Sequence, residues 1–213
     1  SNIFAGTAVG VFLSTNLGTN WTPVNSGLTN SVVFSLCVTS NGVGGTDLFV
    51  GTYASVFRST DDGTSWTKVT SGLRASLVTS LAISPTGGGS GPTLFAGTYD
   101  GVYRSTDDGT SWSEASSGIS NPFITSLAIS QGPSETLLAG TSGGGIFRST
   151  NYGASWMPAS GGLSNTTVMT LAFVGTDAFA GTYGAGVARS TNDGASWGSA
   201  AGGMIYAQVW AIC

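Results

Sequence analysis

The chain has 213 residues, with 6 Lys and Arg against 10 Asp and Glu, no His and a formal net charge of −4. Only 8% of residues are charged while 40% are hydrophobic. That balance excludes a disordered chain, a nucleic-acid binder with a basic footprint, and every chemistry that needs an imidazole, from Ser-His-Asp triads to HExxH zinc sites. No apolar run approaches the roughly 18 residues that a membrane helix requires, so no membrane insertion is expected. The opening SNIFAGT has neither a basic start nor a long apolar stretch, and reads as mature chain or as a stretch from which any signal peptide is absent.

The first predicted element is a short strand, IFAGT (3–7), and it sets the pattern for the whole chain. Its continuation IFAGTAVGVFLSTNLGTNW (3–21) returns as LFVGTYASVFRSTDDGTSW (48–66), LFAGTYDGVYRSTDDGTSW (94–112), LLAGTSGGGIFRSTNYGASW (137–156) and AFAGTYGAGVARSTNDGASW (178–197). The Trp residues that close these segments are 45, 46, 44 and 41 residues apart. Within one period the sequence predicts four strands: VTSLAIS (78–84), LFAGT (94–98), GVYRST (101–106) and SWSEAS (111–116), here called a to d. Each is short, rich in aliphatic, aromatic or Thr residues, and bounded by Gly, Asn, Asp or Pro. No stretch carries a 3.6-residue apolar period, so helix is not expected.

Four strands per period of about 43 residues predict an all-β fold, a five-bladed β-propeller of four-stranded blades. A solenoid fits less well, because the end repeats lack polar caps. The chain reads as one domain, 1–213, with repeats at about 3–47, 48–93, 94–136, 137–177 and 178–213. It opens on a strand b and ends on a strand a, VWAIC (209–213), which aligns with VFSLC (33–37), VTSLA (78–82), ITSLA (124–128) and VMTLA (168–172). Pairing of 209–213 with the first blade is therefore expected to close the ring and remove two sheet edges. Five consecutive repeats of a larger propeller would show the same phase. The alignment also puts Cys37 and Cys213 at equivalent inner-strand positions, beside Ala82, Ala128 and Ala172. They read either as two small buried residues or as a disulfide across the closure.

The c–d turn is Ser-Thr-[Asp/Asn]-x-Gly-x-[Ser/Asn]-Trp in every repeat. Its key positions are Asn16, Gly18 and Trp21; Asp61, Gly63 and Trp66; Asp107, Gly109 and Trp112; Asn151, Gly153 and Trp156; and Asn192, Gly194 and Trp197. Here the sequence resembles the Asp-box, or bacterial neuraminidase repeat, family, whose motif is Ser/Thr-x-Asp-x-Gly-x-x-Trp. The resemblance implies the propeller fold. It leaves function open, because the family includes sialidases, xyloglucan hydrolases, sortilin-like receptors and photosystem assembly factors. The box reads as structural: an acceptor oxygen closes an Asx-type turn, Gly takes positive φ, and Trp packs beneath. Asn at three of five acidic positions suits a turn and defeats a metal or acid/base role, so no metal and no cofactor is expected.

Resemblance to sialidases would call for an arginine cluster, a Tyr nucleophile with a Glu partner, and an Asp acid. Arg58, Arg104, Arg148 and Arg189 occupy one repeat-equivalent position, with Leu13 in the fifth, which spreads them in a ring. The only Glu residues, Glu114 and Glu135, are not placed as the close carboxylate pair that glycoside hydrolysis needs. No catalytic residue is expected. Strand parity places the b–c turns and d–a segments on the face opposite the boxes. That face gathers Tyr53, Tyr99, Tyr183 and Tyr206 with Asn30, Asn121 and Asn165, and few charges. Flat rings beside amides and hydroxyls suit a neutral glycan. The expected function is a non-catalytic extracellular or cell-surface binding propeller, lectin-like. The alternative is a scaffold whose partner is a protein surface or the chain itself, since so weakly charged a surface does little to keep copies apart.

Overall fold

A computed structural model of the chain describes residues 2–40, 45–53, 55–74, 77–85, 87, 92–131, 135–204 and 207–212. Among these residues there is no helix, and the strands form five antiparallel sheets in chain order. Blade 1 holds β1 (Ile3–Thr7), β2 (Gly10–Ser14) and β3 (Thr22–Pro23). Blade 2 holds β4 (Val33–Ser40), β5 (Thr46–Thr52), β6 (Ser55–Ser59) and β7 (Thr67–Lys68). Blade 3 holds β8 (Val78–Ser84), β9 (Thr93–Thr98), β10 (Gly101–Ser105) and β11 (Ser113–Glu114). Blade 4 holds β12 (Ile124–Ile129), β13 (Leu137–Thr141), β14 (Ile146–Ser149) and β15 (Met157–Pro158). Blade 5 holds β16 (Val168–Val174), β17 (Asp177–Thr182), β18 (Val187–Ser190) and β19 (Gly198–Ser199). This is the expected five-bladed β-propeller architecture, with consecutive inner strands β4, β8, β12 and β16 packed side by side.

The outer strand is shorter than the six residues anticipated at 111–116. Trp112 turns its backbone N–H away from its own sheet, onto Ser71 O of the preceding blade at 2.8 Å. The ladder to β10 therefore starts only at Ser113. Each inner strand of blades 2 to 5 carries a bulge near its start, as between Val78 and Ser80. The extra residue re-aims a side chain. In blade 3 it is Thr79, whose hydroxyl donates to Ile124 O of blade 4 at 2.7 Å. Ser80 Oγ accepts from Leu127 N, also of blade 4, at 3.0 Å.

The core lies between blades rather than within one. Phe49 of β5 packs with Leu94, Ala96, Tyr103 and Trp112 of blade 3, and Phe95 of β9 packs with Leu137, Ala139, Phe147 and Trp156 of blade 4. Strand b explains its glycine here: a Cβ on Gly97 would stand 2.7 Å from Ile124 Cγ2 of the next inner strand. Four junctions share one set of bonds. The indoles of Trp66, Trp112, Trp156 and Trp197 donate to Val24 O, Val69 O, Ala115 O and Ala159 O of the preceding blade, at 2.8–2.9 Å.

Pairing of 209–213 with the first blade is not shown: among the described residues β1 pairs only with β2, blade 1 has three strands, and residues 209–212 join no ladder. Trp21 remains 41% exposed, its indole bonded to Gly18 O of its own turn. Cys37 carries a free thiol in this structure, and Cys213, its expected partner, lies outside the described residues.

This asymmetry sets a direct expectation. Trp112→Ala, which empties a buried junction, should cost about 3–5 kcal/mol in urea unfolding. Trp21→Ala, measured on dilute monomeric protein, should cost less than about 1 kcal/mol.

Candidate functional site

The box turns are built identically. In blade 2, Ser59 Oγ accepts from Gly63 N at 2.8 Å and donates to Asp61 Oδ1 at 2.8 Å, while Oδ1 accepts from Ser65 N at 2.8 Å. Asp61 Oδ2 accepts from the Ser65 hydroxyl at 2.6 Å. Where Asn replaces Asp, the same oxygen accepts from Ser155 N or Ser196 N, and the amide nitrogen of Asn151 or Asn192 donates to that serine's hydroxyl. The turn thus accepts either residue by reversing one hydroxyl. Sequence reasoning identified the Gly but missed its predecessor. Leu17, Asp62, Asp108, Tyr152 and Asp193 all sit at φ between +54° and +57°, a left-handed pair with the Gly. The varied side chains at that position carry no signal for it.

Hydrogen bonds from the Ser65 side chain and backbone hold the Asp61 carboxyl below its ordinary value, and Ser111 does the same for Asp107. A folded pKa below the unfolded one adds stability that is complete above the unfolded value. It is lost as pH falls through the folded one. Asp61→Asn with Asp107→Asn should therefore leave the neutral-pH melting temperature within ~2 °C of wild type. The variant should also flatten its fall below about pH 4, near the ordinary Asp value, as followed by thermal melts against pH.

The strand-c arginines do not converge. Arg58 pairs with the buried Asp47 of its own blade and, at 3.2 Å, with Asp108 in the next box; Arg189 pairs with Asp177. Arg148 Nε donates to Asp193 O of the next box at 2.8 Å, and Arg104 to Gly87 O at 3.3 Å. Arg58, Arg148 and Arg189 tie strand c to its own strand b or to the neighbouring box, and Arg104 ties it to its own a–b loop. Glu135 is buried and bonded to Ser84 of the preceding blade. Glu114 faces Tyr103 across β10 and β11; burial, with Glu114 and Asp100 adding, raises the Tyr103 phenol above its ordinary value. Equivalent small hollows lie beside the boxes of two blades, one of about 170 Å³ against Arg148, Asn151, Ser155 and Met157 in blade 4, and one of about 210 Å³ against Arg58, Thr60 and Ser65 in blade 2. Among the described residues, no group of three His, Cys, Asp or Glu could hold a metal ion.

The opposite face brings the predicted tyrosines to the surface. Tyr53, Tyr99 and Tyr183 are 51%, 42% and 48% exposed; Tyr206 lies outside the described residues. Tyr53 stands edge-on to Phe34 with ring centroids 5.0 Å apart, and Tyr99 tilts against Phe123 of the next blade at 3.9 Å. The asparagines are placed differently from expectation. Asn30 Nδ2 donates to Tyr53 O at 3.1 Å, Asn165 Nδ2 to Tyr183 O at 2.6 Å, and Asn121 Nδ2 to Ser142 O, the equivalent of Tyr in blade 4, at 3.0 Å. Their Oδ1 atoms accept from Val32 N, Thr167 N and Phe123 N. Both ends of each amide are committed to holding the b–c turn against the strand-a entry. The partner rings Phe34 and Phe123 were missed, because Phe34 is the bulge residue of β4 and simple alternation does not assign it a face.

Burial pushes the Cys37 thiol up to about 12. Its thiolate fraction at neutral pH is then about a thousandfold below that of an ordinary cysteine. A thiol-labelling time course on the folded protein should be slower by that order.

No protein-family model matches the chain, and no curated protein matches it. Among solved structures it is similar to an ancestral GH74 enzyme, with TM-score 0.73 and 22% identity over 96% of this chain and 30% of that one. It is also similar to YCF48 bound to D1 peptide, with TM-score 0.61 and 18% identity over 93% of this chain and 62% of that one. A third is the extracellular domain of a putative one-component system from B. thetaiotaomicron, with TM-score 0.69 and 19% identity over 89% of this chain and 26% of that one. The chain spans less than two thirds of each. These likenesses define the class of the molecule, a β-propeller. No helix among the described residues is long and apolar enough to cross a membrane.

Proposed function

We propose that the chain is a non-catalytic binding propeller of the Asp-box type, acting outside the cell, whose aromatic face takes an uncharged, partly apolar segment of a protein partner. The observation that carries this reading is the state of the face itself. Its three Tyr rings are half-exposed, two of them, Tyr53 and Tyr99, against phenylalanines, while its amides are turned inward on their own loops. Such a surface offers aromatic area and backbone groups, the composition of interface anchors. A neutral glycan is the second reading. The open Tyr faces and hydroxyls favour it, and the committed Asn amides, which would have met sugar hydroxyls, weigh against it. A peptide-bound propeller and a sensor's extracellular domain among the structural neighbours are compatible with a partner-binding role and an extracellular setting. Two features support the absence of catalysis. The four strand-c arginines are engaged singly in strand ties. The raised phenol of Tyr103 is the reverse of an activated nucleophile.

A displayed peptide library and a neutral-glycan array, each probed with wild type and with Tyr53→Ala/Tyr99→Ala/Tyr183→Ala, test this. Wild type should select uncharged peptides with aromatic or aliphatic anchors, and the triple variant should bind them at least tenfold more weakly, about 1.4 kcal/mol. Glycan hits lost in the triple variant, with no peptide selected, would instead establish the second reading. Peptide binding that ignores the three substitutions would overturn the assignment of this face.

A further inference from the structure

Blade 3 departs from the repeat in three places that meet. On strand c it has Tyr103, where the other blades have Phe12, Phe57, Phe147 and Ala188. Opposite Tyr103 on strand d stands Glu114, in register with Pro23, Lys68, Pro158 and Ser199 of the other ladders. The turn that reaches this pair from blade 2 carries Arg74 after Gly72 and Leu73, where the equivalent turns read Thr29, Ser120, Ser164 and Ile205. Leu73 and Arg74 of blade 2, with Tyr103, Trp112 and Glu114 of blade 3, line one hollow of about 470 Å³. The corresponding space between blades 4 and 5, against Ser164, Ala188 and Ser199, is about 10 Å³.

Charge is scarce in this chain, and most of it is already engaged. Asp61, Asp62, Asp107, Asp108 and Asp193 belong to the box turns. The strand-c arginines, with Asp47 and Asp177, tie strands, loops and boxes, and Glu135 is bonded to Ser84. The charged residues left over are Lys68, Arg74, Asp100 and Glu114. Of these, Arg74, Asp100 and Glu114 gather around the buried Tyr103 phenol and act on it electrostatically. No ion pair joins Arg74 to Glu114 among the described residues. The two charges therefore flank the hollow rather than cancel across it. The Tyr103 oxygen lies against the Arg74 backbone N–H, and burial with the two acids keeps the phenol protonated. Its own O–H is thus left as a donor on the floor of the hollow.

We propose that the hollow between blades 2 and 3 is a binding site for a small zwitterion, a free α-amino acid with an apolar side chain. The ligand's carboxylate meets the Arg74 guanidinium and the Tyr103 hydroxyl, its ammonium meets Glu114, and its side chain rests on Leu73 and Trp112. The ligand class follows from the walls. An anion alone would find one guanidinium opposed by two acids, and a cation alone would face the guanidinium. A molecule carrying both charges close together meets each wall with its complement. A volume of about 470 Å³ also lies within the ~300–1,000 Å³ range of small-molecule sites. The site shares no residue with the aromatic face and stands independently of that reading.

Isothermal titration calorimetry at two temperatures tests this on the whole chain. The probes are leucine and phenylalanine, with N-acetyl-leucine to remove the ammonium and leucinamide to remove the carboxylate. Wild type should bind both amino acids saturably at millimolar concentration or below. Each blocked form should bind about fivefold more weakly, the upper end for exposed ion pairs. Arg74→Gln should bind leucine and leucinamide alike, and Glu114→Gln should bind leucine and N-acetyl-leucine alike, a matching of variant to probe that a damaged fold would not produce. Tyr103→Phe installs the residue that blades 2 and 4 carry as Phe57 and Phe147. It should melt within ~2 °C of wild type and bind leucine severalfold more weakly. No saturable heat with either amino acid at both temperatures overturns the proposal. So does N-acetyl-leucine or leucinamide binding as tightly as leucine, or leucine binding unchanged in both charge variants.

Discussion

The junction between blades is the constraint on which the rest of the molecule depends. A four-stranded sheet whose outer strand has two residues has little core of its own, and its large buried side chains find partners only in the neighbouring blade. What fixes one blade on the next is a pair of directional bonds from each buried Trp, its main-chain N–H and its indole, onto carbonyls two residues apart in the preceding outer strand and turn. Burial of the indole supplies the nonspecific attraction. The two bonds decide register and tilt, and they satisfy donors that would be costly to bury alone. Much of the glycine content serves this contact: strand-b Gly admits the next inner strand, box Gly the previous blade, and the Gly at 72 and its equivalents the Trp carbonyl.

The fold was legible because those same contacts impose repeated residue types. A Trp, a positive-φ Gly and a small strand-b residue recur at fixed offsets, and their period reports the blade. Strand a at 78–84 came out with its bounds unchanged, because it is bounded by residues that end strands and its apolar positions meet both neighbours. Less legible were features set by where a bond goes rather than by what residue makes it. Strand d reads as strand in sequence, yet Trp112 N–H belongs to the adjacent blade, so the ladder is cut short. Asn30, Asn121 and Asn165 read as free amides on a ligand face. The carbonyl and the N–H that claim each of them are backbone groups, and backbone groups leave no trace in side-chain composition. The left-handed residue before each box Gly was invisible for a related reason: its conformation is imposed by Ser Oγ holding the Gly N–H, and Leu, Asp and Tyr all comply.

The low charge also takes a more definite meaning. Of the few charged groups, Arg58 and Arg189 with Asp47 and Asp177 hold strands together, and Asp61 and Asp107 close turns that Asn closes elsewhere. These charges serve local geometry rather than long-range steering. The surface that remains meets an approaching chain with neither strong attraction nor strong repulsion. On such a surface, shape and hydrogen-bond register decide what binds, which gives most weight to places where both are already set.

How the blades hold one another follows from the energetics of a repeating array. Stability in such a structure is close to a sum of repeat terms and nearest-neighbour terms. Four junctions share the same bonds at nearly the same lengths. Each junction is tightly packed, with Ile124 against Gly97 and Val168 against Gly140, and dense packing makes such interfaces nearly all-or-none rather than gradually deformable.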